Sequence, residues 1–227
     1  METSGAFYFK RRVKSRDFAR GADGSGYHRV MAGGAETLDA APRAGLYERL
    51  VGAGWGELDE AVRRFHPRGA GVRAAGTFKV RRGEGRFVSL LARLLNLPES
   101  GEAVPLLLRV TPHDGGERWR RSFAGRDFTT EQREGAGLLL AERAGPVEML
   151  FRLTAEGGAL VYRQAGVALR LGGLSVRLPR RLATRVEASE RAAEGGRGVR
   201  VSVCVTAPLV GLVIRYEGLI MIEEDAG

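Results

Sequence analysis

The sequence predicts an α+β fold that is mostly β. Short N-terminal helices pack on a long antiparallel β-meander, curled into a barrel-like sheet. Three observations carry this expectation. From Val104 onward the apolar period is two, the spacing of strands with one buried face. Turn signals recur at Asp114-Gly115-Gly116, Gly125, Gly135, Gly145-Pro146 and Gly157-Gly158, with the spacing of about ten residues that marks an all-β meander. Finally, about eight to ten antiparallel strands in one chain curl or close, because a flat sheet of that size leaves two adhesive edges.

In order along the chain, residues 1–44 lack a hydrophobic period and carry Gly, Ser, Ala and basic residues. They are read as a disordered tail, and residues 45–224 as a single β-rich domain. Met31 is an alternative start to Met1, since nothing before it resembles part of a fold. Leu46, Leu50, Val51, Trp55, Leu58, Val62 and Phe65 fall on one helical face. Gly52, Gly54 and Gly56 each cost about 1 kcal/mol inside a helix, so the pattern predicts two short helices broken near Trp55, with Pro67 closing the second.

Thr77 to Arg82 is a short strand. Phe87, Leu90, Leu91, Leu94 and Leu95 then form a helical stripe opposed by Arg86, Ser89, Arg93 and Asn96, ended by Pro98. Such a helix covers a sheet face, plugs a barrel end or lies on a membrane. The strands expected next are Leu106–Thr111, Glu117–Phe123, Phe128–Arg133, Leu138–Arg143, Val147–Thr154, Leu160–Gln164, Val167–Leu178 and Thr184–Glu190. The last two are Val199–Thr206 and Leu212–Ile222. Val199, Val201, Val203 and Val205 share one face, and Leu212, Ile214, Tyr216, Ile220 and Ile222 are expected to face the core.

The formal net charge is +9, but 33 of the 36 basic residues are arginines beside 33 glycines. That bias is compositional and weakens any inference from charge to nucleic acid or membrane. No segment spans a bilayer, since Pro208–Ile222 is interrupted by Arg215 and Glu217, and no secretory signal is evident. A cytoplasmic location is the expectation. The single cysteine, Cys204, excludes an intramolecular disulfide, and His28, His66 and His113 are too far apart in sequence for a His-x-x-x-His zinc pair. Gly69–Gly76 misses the dinucleotide-binding spacing, and no Walker loop or nucleophile elbow occurs. No cofactor, metal or catalytic set is therefore expected.

What remains is polar side chains on strand faces. Trp119, Arg121 and Phe123 share one face, as do Arg185, Glu187 and Ser189; Glu142 aligns with Leu140, and Tyr216 with Ile214. If those faces are interior, Trp119, Arg121, Phe123, Glu142, Arg185, Glu187 and Tyr216 converge inside a barrel, near His66, as a candidate ligand-binding set. Buried charge must be paired or meet a ligand. The run Arg118–Phe123 has the look of a single-strand nucleic-acid platform, but it lacks further exposed aromatics, so nucleic acid is not expected.

Four phrases carry a resemblance: Leu46–Leu50 with Trp55 through His66; Glu117–Phe123; Arg185–Glu190; and Pro208–Gly218. From about Leu46 to Ile222 the chain resembles the bacterial family known as domain of unknown function 4166. Members occur alone or behind a saccharopine-dehydrogenase-like domain, so the resemblance implies a standalone copy here. It implies no activity and no catalytic residues.

The leading expectation is thus a non-catalytic domain that holds an apolar or amphiphilic small molecule, with Arg121 and Arg185 fixing an acidic head group. An alternative is an interaction module docking on a saccharopine-dehydrogenase-like, reductase-like protein or a membrane surface through the Phe87–Leu95 helix or a sheet edge. A second alternative is an acid–base enzyme using Glu187, Glu142 or His66, which requires two of them within hydrogen-bond reach.

Overall fold

The alternation read from the sequence becomes eleven antiparallel strands in a computed structural model that describes residues 44–69, 71–208 and 210–223. The segment expected to be a disordered tail lies outside these residues, apart from its last position. The strands are β1 (Val72–Arg82), β2 (Gly101–His113), β3 (Gly116–Phe123), β4 (Arg126–Gly135), β5 (Leu139–Ala144) and β6 (Val147–Glu156). They continue with β7 (Ala159–Leu171), β8 (Leu174–Arg177), β9 (Arg185–Ala192), β10 (Val199–Ala207) and β11 (Gly211–Ile222). The order β6-β5-β4-β3-β2-β1-β11-β10-β9-β7 closes through β6–β7 pairing, giving a ten-stranded barrel with β8 appended to β7. Closure removes the edges that so long a meander would otherwise expose.

β7 makes the closure possible. Leu160–Arg163 pair with β9, whereas Ala168–Leu171 pair with β8, and Ala159–Leu169 run along β6. The ladder with β6 jumps from Leu150↔Gly166 to Phe151↔Gln164, leaving Ala165 as a bulge that bends the strand. The expected strand Val167–Leu178 is therefore two strands, broken at Gly172-Gly173. β1 is also longer than expected, starting at Val72. Gly76 sits within it because a side chain there would strike the Leu219 carbonyl of β11.

Two helices precede the barrel and plug the end where β1 starts. In α1 (Leu46–Val51), Leu46, Tyr47 and Leu50 are buried. Gly52, with φ +61°, ends it, and a 3₁₀ turn (Gly52–Glu57) leads to α2 (Glu60–Phe65), which buries Val62 and Phe65. The expected break near Trp55 is thus present. Asp59 N–H donates to the Gly158 carbonyl of the β6–β7 turn at 2.9 Å, tying the plug to that rim.

The opposite end, called here the mouth, carries α3 (Arg86–Leu94), the β7–β8 hairpin and the segment leading to β9. The side of α3 that is buried differs from the expected stripe. Val88 and Ala92 are buried, with Leu91 and Leu95 half-buried, while Phe87 and Leu90 are exposed. The helix is apolar around more than half its circumference, so burying one side leaves a second apolar strip outside.

Outward strand positions carry Arg73, Arg109, Arg118, Arg120, Arg152, Arg163 and Arg200, all exposed. This is the reverse of the apolar outer band of membrane-spanning barrels. Among the described residues no helix is long and apolar enough to cross a membrane.

Candidate ligand chamber in the barrel interior

Antiparallel register fixes which side chains point inward together. Val110↔Trp119, Leu108↔Arg121 and Leu106↔Phe123 carry one face from β2 to β3. Trp119↔Thr130, Arg121↔Phe128 and Glu117↔Gln132 carry it to β4. Gln132↔Glu142 and Glu142↔Met149 carry it through β5 to β6. On the far wall Val201↔Glu190, Val203↔Ala188 and Val205↔Val186 align β10 with β9, and Tyr216↔Val203 brings in β11. The valine row and the Tyr216 row face inward as the sequence implied.

These side chains do not fill the barrel. A cavity of about 120 Å³ remains, lined mostly by apolar groups, among them Phe128, Met149, Val201, Val203, Val205 and Ile214. Several of these inward residues keep accessible surface although they sit inside a closed sheet. The wall is therefore hollow rather than close-packed. A barrel of about eight strands is just filled by its own side chains, and additional strands widen the interior.

One wall of the chamber carries a compact polar group. Arg121 Nη1 donates to Thr130 Oγ1 at 2.9 Å, Thr130 Oγ1 donates to Glu142 Oε1 at 2.8 Å, and Arg121 Nη2 reaches the same oxygen at 3.4 Å. The Arg121 guanidinium also lies 5.0 Å from the centre of the Trp119 ring. Burial works against its charge, but the Glu142 carboxylate and the neighbouring tyrosines more than offset this, and its pKa stands above the ordinary value. Tyr216 faces the same space; burial, only partly countered by Arg121, pushes its phenol up to about 12. Its hydroxyl makes no hydrogen bond to any described residue and so remains a neutral donor and acceptor toward the chamber.

At the plug end lies a second network. His66 Nε2 and Glu190 Oε2 share a 2.6 Å hydrogen bond. The Tyr162 hydroxyl donates to Glu190 Oε1 at 2.8 Å and lies 3.3 Å from the Tyr47 hydroxyl. Tyr47 in turn donates to Gln132 Oε1 at 2.6 Å, and its ring stacks on His66 with centroids 3.7 Å apart. Tyr47 and Tyr162 are raised well above the ordinary phenol value, first by burial and then by the Glu190 charge. Beside them Trp119 Nε1 donates to Glu117 Oε2 at 2.9 Å. Burial raises the Glu117 carboxyl despite that bond. Among the described residues the buried His66 Nδ1 has no partner.

Of the residues singled out in the sequence, Trp119, Arg121, Phe123, Glu142, Tyr216 and His66 are brought inside the barrel, though His66 belongs to the plug-end network rather than to the chamber wall. Arg185 and Glu187 are not inside. Both are exposed on the outer face of β9, 3.3 Å from each other. The reason is register: Val186, Ala188 and Glu190 stand opposite the inward valines of β10, so the alternate residues must face out. Cys204 also faces out, beside Arg215. Arg121 is already compensated by Glu142, so the acidic-head-group expectation loses both of its arginines. The acid–base condition fails as well, since no hydrogen bond joins any two of His66, Glu142 and Glu187 among the described residues. Sequence reasoning missed Glu190, Tyr47, Tyr162, Thr130 and Gln132. Glu190 had a usable signal, because it shares its face with Val186 and Ala188. Among the described residues no three His, Cys, Asp or Glu side chains are arranged as a metal site would require.

The fold and interior define a closed antiparallel β-barrel, plugged by helices at one end and hollow in the middle, a form consistent with small-molecule binding. The chain belongs to the family described as Domain of unknown function (DUF4166), which matches residues 58–220. No curated protein and no solved structure matches it significantly.

Proposed function

We propose that this protein is a non-catalytic binding domain whose barrel holds a small, mainly apolar molecule bearing one neutral hydrogen-bonding group. The observation that carries the reading is the chamber itself: a hollow of about 120 Å³ inside the closed sheet, with a mostly apolar wall that stays accessible. A cavity of roughly 150 Å³ accepts a single benzene ring, so the occupant is of ring size or a short chain unless the plug or α3 yields. The neutral head group follows from charge: Arg121 and Glu142 compensate each other, leaving the Tyr216 hydroxyl as the open polar contact. We place this activity in the cytoplasm.

Native mass spectrometry of protein purified from its own host tests this reading. A bound species of low mass is expected, lost in Val203→Trp, which fills the chamber, and weakened in Tyr216→Phe. Only the apo mass, with no thermal stabilisation by small aromatic alcohols, would sink it.

A further inference from the structure

No described residue covers the two apolar protrusions at the mouth. On α3 the buried Val88 and Ala92 turn Phe87 and Leu90 outward. At the same rim the β7–β8 hairpin and the turn after it present Leu171, Leu174, Val176 and Leu182. These six side chains are between 53 and 71 % exposed and are six of the ten large hydrophobic side chains exposed among the described residues, gathered at one rim. Within the turn Leu182 and Ala183 N–H both donate to the Pro179 carbonyl, at 2.8 and 3.0 Å.

Charge says what fits there. No acidic residue occurs between Glu156 and Glu187, while Arg177, Arg180, Arg181 and Arg185 are all exposed. α3 adds exposed Arg86 and Arg93 beside Phe87 and Leu90. Apolar side chains flanked by arginines, set on a helix and a hairpin tip rather than in a groove, suit a fluid anionic surface. The apolar groups enter the acyl boundary and the guanidinium groups meet phosphate at the level of the head groups. A rigid protein partner would need two complementary hollows at fixed separation.

We propose that the mouth of the barrel docks on an anionic lipid bilayer, through Phe87 and Leu90 on one side and the Leu171–Leu182 segment on the other. This stands on the rim alone and is independent of what the chamber holds.

The test is co-sedimentation of the full chain with vesicles of equal parts phosphatidylcholine and phosphatidylglycerol, compared with phosphatidylcholine alone. Binding is expected only to the anionic vesicles and should weaken in high salt. Arg180→Ala with Arg181→Ala should weaken it about 30-fold, at the usual contribution of each arginine near such a surface. Leu171→Glu with Leu174→Glu, and separately Phe87→Ser with Leu90→Ser, should abolish it. Leu138→Glu, at the plug end, should leave it unchanged. All the substituted side chains are exposed, and circular dichroism verifies folding of each variant. Equal binding to neutral vesicles, no binding at all, or rim variants that bind like the parent would overturn the proposal. The last result would assign binding to the basic N-terminal segment instead.

Discussion

The Nε2 atom of His66, from the plug, lies 2.6 Å from Oε2 of Glu190, in the wall of the barrel, and both side chains are nearly free of solvent. This contact joins the segment before β1 to a strand more than a hundred residues later. Through Tyr162, Tyr47 and Gln132 it extends to β7 and β4, so one hydrogen-bonded chain holds the helices in the barrel end.

Removing its centre should therefore loosen the plug. Glu190→Ala leaves His66 and Tyr162 buried without their acceptor and is expected to cost roughly 3 kcal/mol in urea unfolding. Tyr47→Phe loses the bond to Gln132 and the longer contact that Tyr47 accepts from Tyr162, and should cost about 1–2 kcal/mol. A loss below about 0.5 kcal/mol for Glu190→Ala would mean that the network does not hold the plug.

Alkaline pH should unfold the protein by way of its tyrosines. Tyr47, Tyr162 and Tyr216 all have native phenols raised above the ordinary value of 10.0, the last to about 12. The native state thus keeps protons that the unfolded chain releases, and stability falls as pH rises from 10 toward 12. Tyr216→Phe removes one contributor. Its stability profile should be flatter across that window, measured by denaturant midpoint against pH.

In acid, two carboxylates should act in opposite senses. Burial alone would raise Glu148, but hydrogen bonds from Arg170 at 2.7 Å and Arg133 at 2.9 Å more than offset it and hold the carboxyl below 4.5. Its contribution is present above 4.5 and is lost as pH falls through the lower native value. Glu148→Gln should cost about 1–2 kcal/mol at neutral pH, both arginines being partly exposed, and should flatten the acid limb. Glu117 is raised above 4.5 by burial, so its ionisation opposes folding as pH rises through the native value. Glu117→Gln should leave neutral stability unchanged or improved, and a fall of more than 1 kcal/mol would contradict this assignment.

The β1–β11 seam tolerates no side chain at Gly218. A methyl group there would meet the Thr77 carbonyl and the Phe78 ring. Gly218→Ala should cost about 2 kcal/mol or more, whereas Gly56→Ala in the 3₁₀ turn, where nothing lies within 4 Å, should be tolerated. Thermal unfolding of the two variants separates them.

Much of this architecture is legible in the sequence because strands report themselves through period and turns. The valine row of β10, the aromatic face of β3 and the glycine-broken helices are all local patterns. The site is less legible because which face points inward is a property of register, set by partners far away in sequence. At Arg185–Glu190 both faces carry a charged residue, and only pairing with Val201–Val205 makes Glu190 the buried one. Tyr47 and Tyr162 gave no signal, since an inward tyrosine reads as ordinary core until its hydroxyl finds a partner. The outer strip of α3 was hidden in the opposite way: its residues matched a buried stripe, but Val88 and Ala92 took that place.

The first and last strands of the barrel are neighbours, with Ala74 beside Ile222 and Arg82 beside Ile214. This ladder joins segments at opposite ends of the meander, so forming it closes a loop of all the strands between them. Contacts between such distant positions raise the contact order and slow folding, since the long loop must be ordered before its closure is rewarded. Until then β1 and β11 are open edges, ready to pair with another chain. The seam is therefore expected to form late in folding, and until it does both edges stay available to another chain.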